Sequence, residues 1–183
     1  MTGRFGAGAL PSLLLCFLAF GLDRLHKTIQ VSPDCIGIGQ ARCVDFLEFT
    51  DPVATTGWRG GEIVQVTPFF DYILVWNTGI SYSLLSSVPV WGLGVIMLAA
   101  IVALAVWWWR TRTPLIRAAL GLAIGGALSN ALDRLLYGAV ADFFHFHWGD
   151  WSFYIFNIAD AAITLGVLLL LLDMVGVGRR QTG

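Results

Sequence analysis

Long apolar runs constrain this chain more than any other feature of its sequence. A helix needs about 20 apolar residues to cross a bilayer, and the predicted spans are residues 9–25, 88–109, 115–134 and 153–177. Hydrophobic residues make up 57% of the 183 residues and charged residues only 13%, whereas a soluble domain carries about 25% charged residues. The sequence therefore predicts an α-helical membrane protein with four transmembrane helices, built as one domain over residues 1–183.

The first run is the shortest and has a second interpretation. With Arg4 ahead of Leu10–Phe20, it also resembles a cleaved secretory signal, which has a charged end followed by an apolar segment. We favour the membrane span.

Residues 28–87 form the only long segment that does not cross the membrane. The runs Glu62–Val66 and Tyr72–Trp76 are rich in β-prone residues, which predicts a small extracytoplasmic β-rich region resting on the membrane surface. Cys35 and Cys43 lie in the same segment, where they either form a disulfide or remain free thiols.

The basic residues predict the orientation of the spans. Six of the eleven Lys and Arg residues fall at the N-terminus, between the second and third spans, or after the fourth. Basic clusters mark the cytoplasmic side, so both termini are predicted to be cytoplasmic. This topology brings a set of polar residues to the outer edge of the membrane: Asp23, Lys27, Asn77, Asn130, Asp133, Arg134, Asp142, Asn157 and Asp160.

Most of this polar set lies in Gly125–Gly166, within or beside apolar sequence. Ionisable groups are costly at membrane depth and mark functional sites by default. If Asp142 and Asp160 face each other, one carboxyl would hold a proton while the other stays ionised, as in aspartic proteases. Local explanations remain for single residues, because Arg134 near a helix C-terminus and Asp160 near a helix N-terminus are both stabilised by the helix dipole.

Two histidines offer a different chemistry. His145 and His147, with Asp142 and Asp150, could supply ligands to a divalent metal ion. Aromatic residues surround them, so we favour a loop at the membrane interface and predict no metal and no cofactor. No basic patch with interleaved aromatic residues indicates a nucleic-acid partner.

At these residues the chain resembles the signal peptidase II family, the lipoprotein signal peptidases of bacteria. The resemblance is carried by five motifs: Asp23 with Lys27, Asn77-x-Gly79, Gly125-Gly126-x-Leu128-x-Asn130-x-x-Asp133-Arg134, Val140-x-Asp142-Phe143 and Phe156-Asn157-x-Ala159-Asp160. Ser129 departs from the glycine that is usual in that family.

The resemblance implies an aspartic endopeptidase of the bacterial inner membrane, with its active site at the periplasmic face. It assigns catalysis to Asp142 and Asp160. It places the following residues at the substrate site: Asp23, Lys27, Asn77, Gly79, Asn130, Asp133, Arg134, Asn157 and Ala159. The implied reaction cleaves diacylglyceryl-modified prolipoproteins just before the lipidated cysteine. The implied partners are this substrate and membrane lipids, and we expect a monomer.

Two other functions fit an acidic cluster in a small membrane protein. One is an ion- or proton-coupled transporter, which requires polar groups to continue towards the inner face, where the fourth span offers only Asp173. The other is a structural subunit whose polar cluster binds a partner helix.

Overall fold

Four helices and four strands make up the part of the chain that the computed structural model describes, residues 8–31, 63–77 and 90–176. In chain order they are α1 (Ala9–Gln30), β1 (Val64–Thr67), β2 (Phe70–Asn77), α2 (Val90–Arg110), α3 (Pro114–Tyr137), β3 (Val140–Trp148), β4 (Trp151–Ser152) and α4 (Ile158–Met174).

Helices occur at the four predicted spans, and two helix bounds differ from the bounds of the predicted spans. Helix α1 continues to Gln30 instead of ending near residue 25, because the polar side chains in its last turns find buried partners. Helix α4 begins at Ile158 rather than residue 153. Its predicted first turn is extended because the backbone of Phe156 pairs with that of Phe144.

The chain divides into two units. The helical unit contains, among the described residues, 8–22, 95–129 and 158–176. Its helices approach closely at glycines. A Cβ added at Gly125 would collide with the carbonyl oxygen of Cys16, and one at Gly166 would lie 2.6 Å from the carbonyl oxygen of Ala119. Small residues at contacts between helices are typical of membrane proteins, in which van der Waals packing drives helix association.

Large apolar side chains in the helical unit point outward. On α1, Leu10 is 70% exposed and Phe17 is 71% exposed, and α2 and α4 likewise expose several valines and leucines. By length and composition, α1 and α3 can each cross a membrane, and Gly94–Arg110 of α2 forms a shorter apolar helix. Exposed apolar area on this scale indicates a surface that contacts lipid.

The sheet unit contains, among the described residues, 23–31, 63–77, 90–94 and 130–157. Its antiparallel sheet has the strand order β1-β2-β3-β4. Strands β1 and β2 confirm the strands predicted within residues 28–87. Gly79, Cys35 and Cys43 lie outside the described residues.

Strand β3 corrects the sequence analysis, which predicted an interfacial loop around His145 and His147. Val140–Trp148 instead pairs with β2 along most of its length. The sheet buries Tyr72, Leu74 and Phe143 against Val31, just beyond the last turn of α1. The ring of His26 on α1 also contacts Phe143 edge-on, with 4.7 Å between ring centroids.

Candidate active site

Asp142 is the carboxylate around which the polar residues of the sheet unit gather. It lies near the start of β3 and is only 2% exposed. Asn157 Nδ2 donates a hydrogen bond of 2.7 Å to its Oδ1, and Asn77 Nδ2 donates one of 3.1 Å to its Oδ2. Both carboxylate oxygens therefore accept from a neutral amide, which stabilises the ionised form.

The sheet register brings Asn77 to Asp142. A bulge lies between the pairs Tyr72–Phe144 and Val75–Asp142, where two residues of β2 stand opposite one of β3. Beyond it, Asn77 pairs with Val140. Because residues two apart on a strand share a face, Asn77 is the diagonal neighbour of Asp142, and a shift of one residue would turn its side chain away.

Asn157 is held beside Asp142 by the chain just before it. The amide nitrogen of Phe156 donates to the carbonyl oxygen of Phe144 at 3.1 Å, and the nitrogen of Phe144 donates back to the Phe156 oxygen at 2.9 Å. Asn157 follows this bridge and immediately precedes α4, a position at which asparagine is favoured.

A buried ion cluster lies where α1 meets α3 within the sheet unit. Lys27 Nζ is 2.8 Å from Asp23 Oδ2 and 2.7 Å from Asp133 Oδ2. Arg24 contacts the other oxygen of Asp133 at 2.6 Å. The cluster contains two acids and two bases, so its net charge is zero, which is the condition under which buried charges are tolerated.

Asn130 connects the ion cluster with Asp142. Its Oδ1 accepts a hydrogen bond of 3.0 Å from Lys27 and one of 3.1 Å from Asn157. The spacing of Asn130 and Asp133 on α3, three residues apart, places both on the helix face that meets α1. Asp23, Lys27, Asn77, Asn130, Asp133, Asp142 and Asn157, all predicted site residues, are thus joined in one network.

The structure also describes three further predicted residues, Arg134, Ala159 and Asp160. Arg134 is in the last turn of α3, where its carbonyl oxygen accepts from Gly138, whose φ of 74° ends the helix. Ala159 and Asp160 belong to the helical unit. Ala159 is buried where a side chain at Gly126 would collide with it, and Asp160 lies in the first turn of α4. The pairing of Asp142 with Asp160 stays a prediction, and Gly79 lies outside the described residues.

Sequence reasoning missed two partners. Arg24 binds Asp133, and its position directly after Asp23 was the available signal. Asp71 on β2 lies 3.3 Å from His145 Nδ1 and 3.1 Å from His147 Nε2, so this carboxylate accompanies the two imidazoles. Within the described part of the chain, no group of three His, Cys, Asp or Glu residues is arranged to hold a metal ion.

The helices expose large apolar side chains, and the sheet carries a buried carboxylate that accepts hydrogen bonds from two side-chain amides. These features define a membrane protein with a polar site built around an aspartate. The chain belongs to the signal peptidase (SPase) II family, whose profile matches residues 15–176. This family is made up of bacterial membrane enzymes.

The similar proteins carry names that are consistent with this family. A lipoprotein signal peptidase of Methylorubrum extorquens is 49% identical over 127 residues, which cover 68% of this chain and 71% of the relative. One from Beijerinckia indica is 53% identical over 113 residues, covering 60% and 68%. The comparisons give no support to the transporter alternative.

Solved structures share the fold. A bacterial membrane enzyme determined at 2.3 Å by the in meso method has a TM-score of 0.69 at 23% identity and covers 94% of both chains. A second, determined at 1.9 Å, has a TM-score of 0.68 at 24% identity, with coverage of 91% of this chain and 93% of that one.

Proposed function

We propose that this protein is an aspartic endopeptidase that cleaves the signal peptide of diacylglyceryl-modified prolipoproteins just before the lipidated cysteine. The family and the names of its relatives support this substrate class. The observation that carries the proposal is Asp142, a buried carboxylate that accepts hydrogen bonds from Asn77 and Asn157 within the motifs of that family.

In the proposed mechanism Asp142 and Asp160 act as an acid–base pair. The ionised carboxylate takes a proton from water as the water oxygen attacks the scissile carbonyl carbon. The protonated carboxyl polarises the carbonyl oxygen. The tetrahedral intermediate then collapses, the peptide C–N bond breaks, and a proton is delivered to the leaving amine. No metal or other cofactor takes part in these steps.

The residues that the family resemblance places at the substrate site fall into two groups, those that are buried and those that are partly exposed. Asp23, Lys27, Asp133, Asn157 and Ala159 are fully buried, so we assign them to holding the site in shape. Asn77 and Arg134 are partly exposed and are our candidates for substrate contact. Asn130, with 6% exposure, and Gly79 complete the proposed site.

We propose four spans, with both termini in the cytoplasm and the active site at the periplasmic face of the inner membrane. Support comes from the basic residues at the two ends of the chain and between α2 and α3, and from the large apolar side chains exposed on α1, α2 and α4. A site at the membrane edge suits a diacylated substrate that enters from the lipid. We also propose that the protein is a monomer surrounded by lipid.

Cleavage of matched precursors tests this function. The purified protein in detergent micelles is incubated with one prolipoprotein in two forms, with and without the diacylglyceryl group on its cysteine. We expect cleavage of the lipidated form only, and mass spectrometry should find the lipidated cysteine at the new N-terminus. Equal cleavage of both forms, or cleavage at another bond, would contradict the proposed substrate.

A further inference from the structure

The ammonium group of Lys27 has a separate acceptor for each of its three hydrogens. These acceptors are Asp23 Oδ2, Asp133 Oδ2 and Asn130 Oδ1, at 2.8, 2.7 and 3.0 Å. The side chain is fully buried. An ammonium carries three donors and no acceptor, so Lys27 has no donor left for a substrate. Its function must therefore be exerted through the groups that it binds.

Lys27 determines which way two side-chain amides point. Because the ammonium can only donate, Asn130 must turn its oxygen towards it and not its NH2 group. The same oxygen accepts from Asn157 Nδ2, so Asn157 must turn its NH2 group towards Asn130. That NH2 group also donates to Asp142 Oδ1 at 2.7 Å. Through two amides, the positive charge ensures that Asp142 meets a donor and not a carbonyl oxygen.

A second path leads from Lys27 to the backbone beside Asp142. Asp133 Oδ2, which Lys27 binds, accepts a hydrogen bond of 3.2 Å from the amide nitrogen of Ala141. Asn157 Nδ2 lies 3.2 Å from the carbonyl oxygen of the same residue. The amide nitrogen and the carbonyl oxygen of Ala141 are thus both engaged, which holds the backbone just before Asp142.

We propose that Lys27 is a positioning residue whose buried charge orients Asn130 and Asn157 so that Asp142 is the ionised member of the acid pair. This inference rests on the proposed function and deepens it. Asp142 is then the general base that accepts the proton from water, and Asp160 is the carboxyl that starts protonated. Asn77 adds a second donor to the same carboxylate.

Other charged groups bear on this assignment, because coupled acids titrate together. Within the sheet unit, the elements that carry the network of Asp142 have the following titratable or permanently charged side chains: Asp23, Arg24, His26 and Lys27 on α1, Asp71 and Tyr72 on β2, Asp133, Arg134 and Tyr137 on α3, and His145 and His147 on β3. Asp160 on α4 is the proposed partner of Asp142. The test therefore changes neutral residues and leaves all of these in place.

The experiment compares pH–rate profiles for single-turnover cleavage of a lipidated precursor by the parent, Asn130→Ala and Gln30→Ala. Gln30 is a buried neutral amide at the end of α1 and is not one of the residues in the path from Lys27 to Asp142, so it is the matched control. In Asn130→Ala the amide of Asn157 loses the acceptor that Lys27 holds in place, although it keeps the carbonyl oxygen of Ala141. We therefore expect the acid limb of the profile, the fall in rate at low pH, to move to higher pH by about one unit, the equivalent of a weakened hydrogen bond to a charged group. Gln30→Ala should keep the acid limb of the parent.

Asn157→Ala is the second variant, in case Asn130→Ala does not fold in micelles. It removes the donor itself and should move the acid limb at least as far. A residue that only supports the fold would lower the rate by the same factor at every pH. An acid limb that is unchanged or moves to lower pH overturns the inference, as does an equal shift in Gln30→Ala.

Failure of the inference about Lys27 can be distinguished from failure of the proposed function. If Asp142→Asn and Asp160→Asn both still cleave the precursor, the acid pair itself is wrong. If both of these variants lose cleavage, but the acid limb does not move in Asn130→Ala or Asn157→Ala, only the assignment of the ionised aspartate is wrong.

Discussion

Asn157 donates a 2.7 Å hydrogen bond to Asp142 although the two residues come from different elements, a strand and the segment that leads into α4. The backbone bridge between Phe144 and Phe156 makes this contact possible. It joins two of the family motifs, Val140-x-Asp142-Phe143 and Phe156-Asn157-x-Ala159-Asp160, in one polar network. The contact explains why these motifs need both a carboxylate and an amide.

The donor from β2 should matter for turnover. Replacing Asn77 with alanine removes the hydrogen bond to Asp142 Oδ2, and a hydrogen bond to a charged group is worth about 1.5–3 kcal/mol. We expect kcat to fall about tenfold to a hundredfold in a steady-state cleavage assay. Gln65→Ala, an exposed position on β1, is the control and should match the parent. An unchanged kcat in Asn77→Ala would contradict this role.

The stability of the folded protein should depend on the equal number of acidic and basic groups in the buried ion cluster. Lys27→Met removes the cation that contacts both Asp23 and Asp133, while Arg24 still contacts Asp133. Removing one partner of a buried ion pair costs about 3–5 kcal/mol. The double variant Lys27→Met with Asp23→Asn restores balance, because Asp133 keeps Arg24. Unfolding followed in detergent micelles should show the double variant to be more stable than Lys27→Met. If it is less stable, the two charges do not compensate each other.

Close helix packing should make one glycine far less tolerant than another. A side chain at Gly125 meets the backbone of Cys16, whereas Gly21 has nothing within 4 Å of an added Cβ. Gly125→Leu should destabilise the protein by more than about 3 kcal/mol, beyond ordinary overpacking. Gly21→Leu should be tolerated. The unfolding temperature in micelles measures both, and similar values for the two variants would refute the close packing of α1 on α3.

The histidines of β3 should not be needed for cleavage through a metal ion. His145 contacts Asp71 and, through Nε2, Ser152 at 2.7 Å, so it is engaged away from Asp142. We expect His145→Ala, His147→Ala and treatment with a chelator each to leave the cleavage rate within about twofold of the parent. A rate that a chelator abolishes and added zinc restores would favour the metal alternative instead.

The helices and the site motifs could be predicted because their signals are local. A span is visible as an apolar run, and Asp23 with Lys27 is an i, i+4 pair on one helix. Strand β3 was missed although Phe144, Phe146 and Trp148 alternate with His145 and His147. That period of two was hidden because Phe143 is also apolar and the segment lies between two spans.

The path from Lys27 to Asp142 could not be predicted from spacing. It runs through side chains of α1, α3, β3 and the segment before α4. The order of its bonds depends on which way each amide points, and an amide orientation has no signature in sequence. The bulge that aims Asn77 is likewise a feature of pairing and not of either strand alone.

The most direct test of the central claim is the single-turnover rate at which Asp142→Asn and Asp160→Asn cleave a lipidated prolipoprotein, compared with the parent and with Asp150→Asn. Asp150 lies exposed in the turn between β3 and β4, so its replacement controls for loss of an acidic group. We predict that both pair variants lose at least about a thousandfold in rate while keeping the parent unfolding temperature and affinity for precursor, and that Asp150→Asn cleaves normally. Cleavage at the parent rate by either Asp142→Asn or Asp160→Asn would contradict the account.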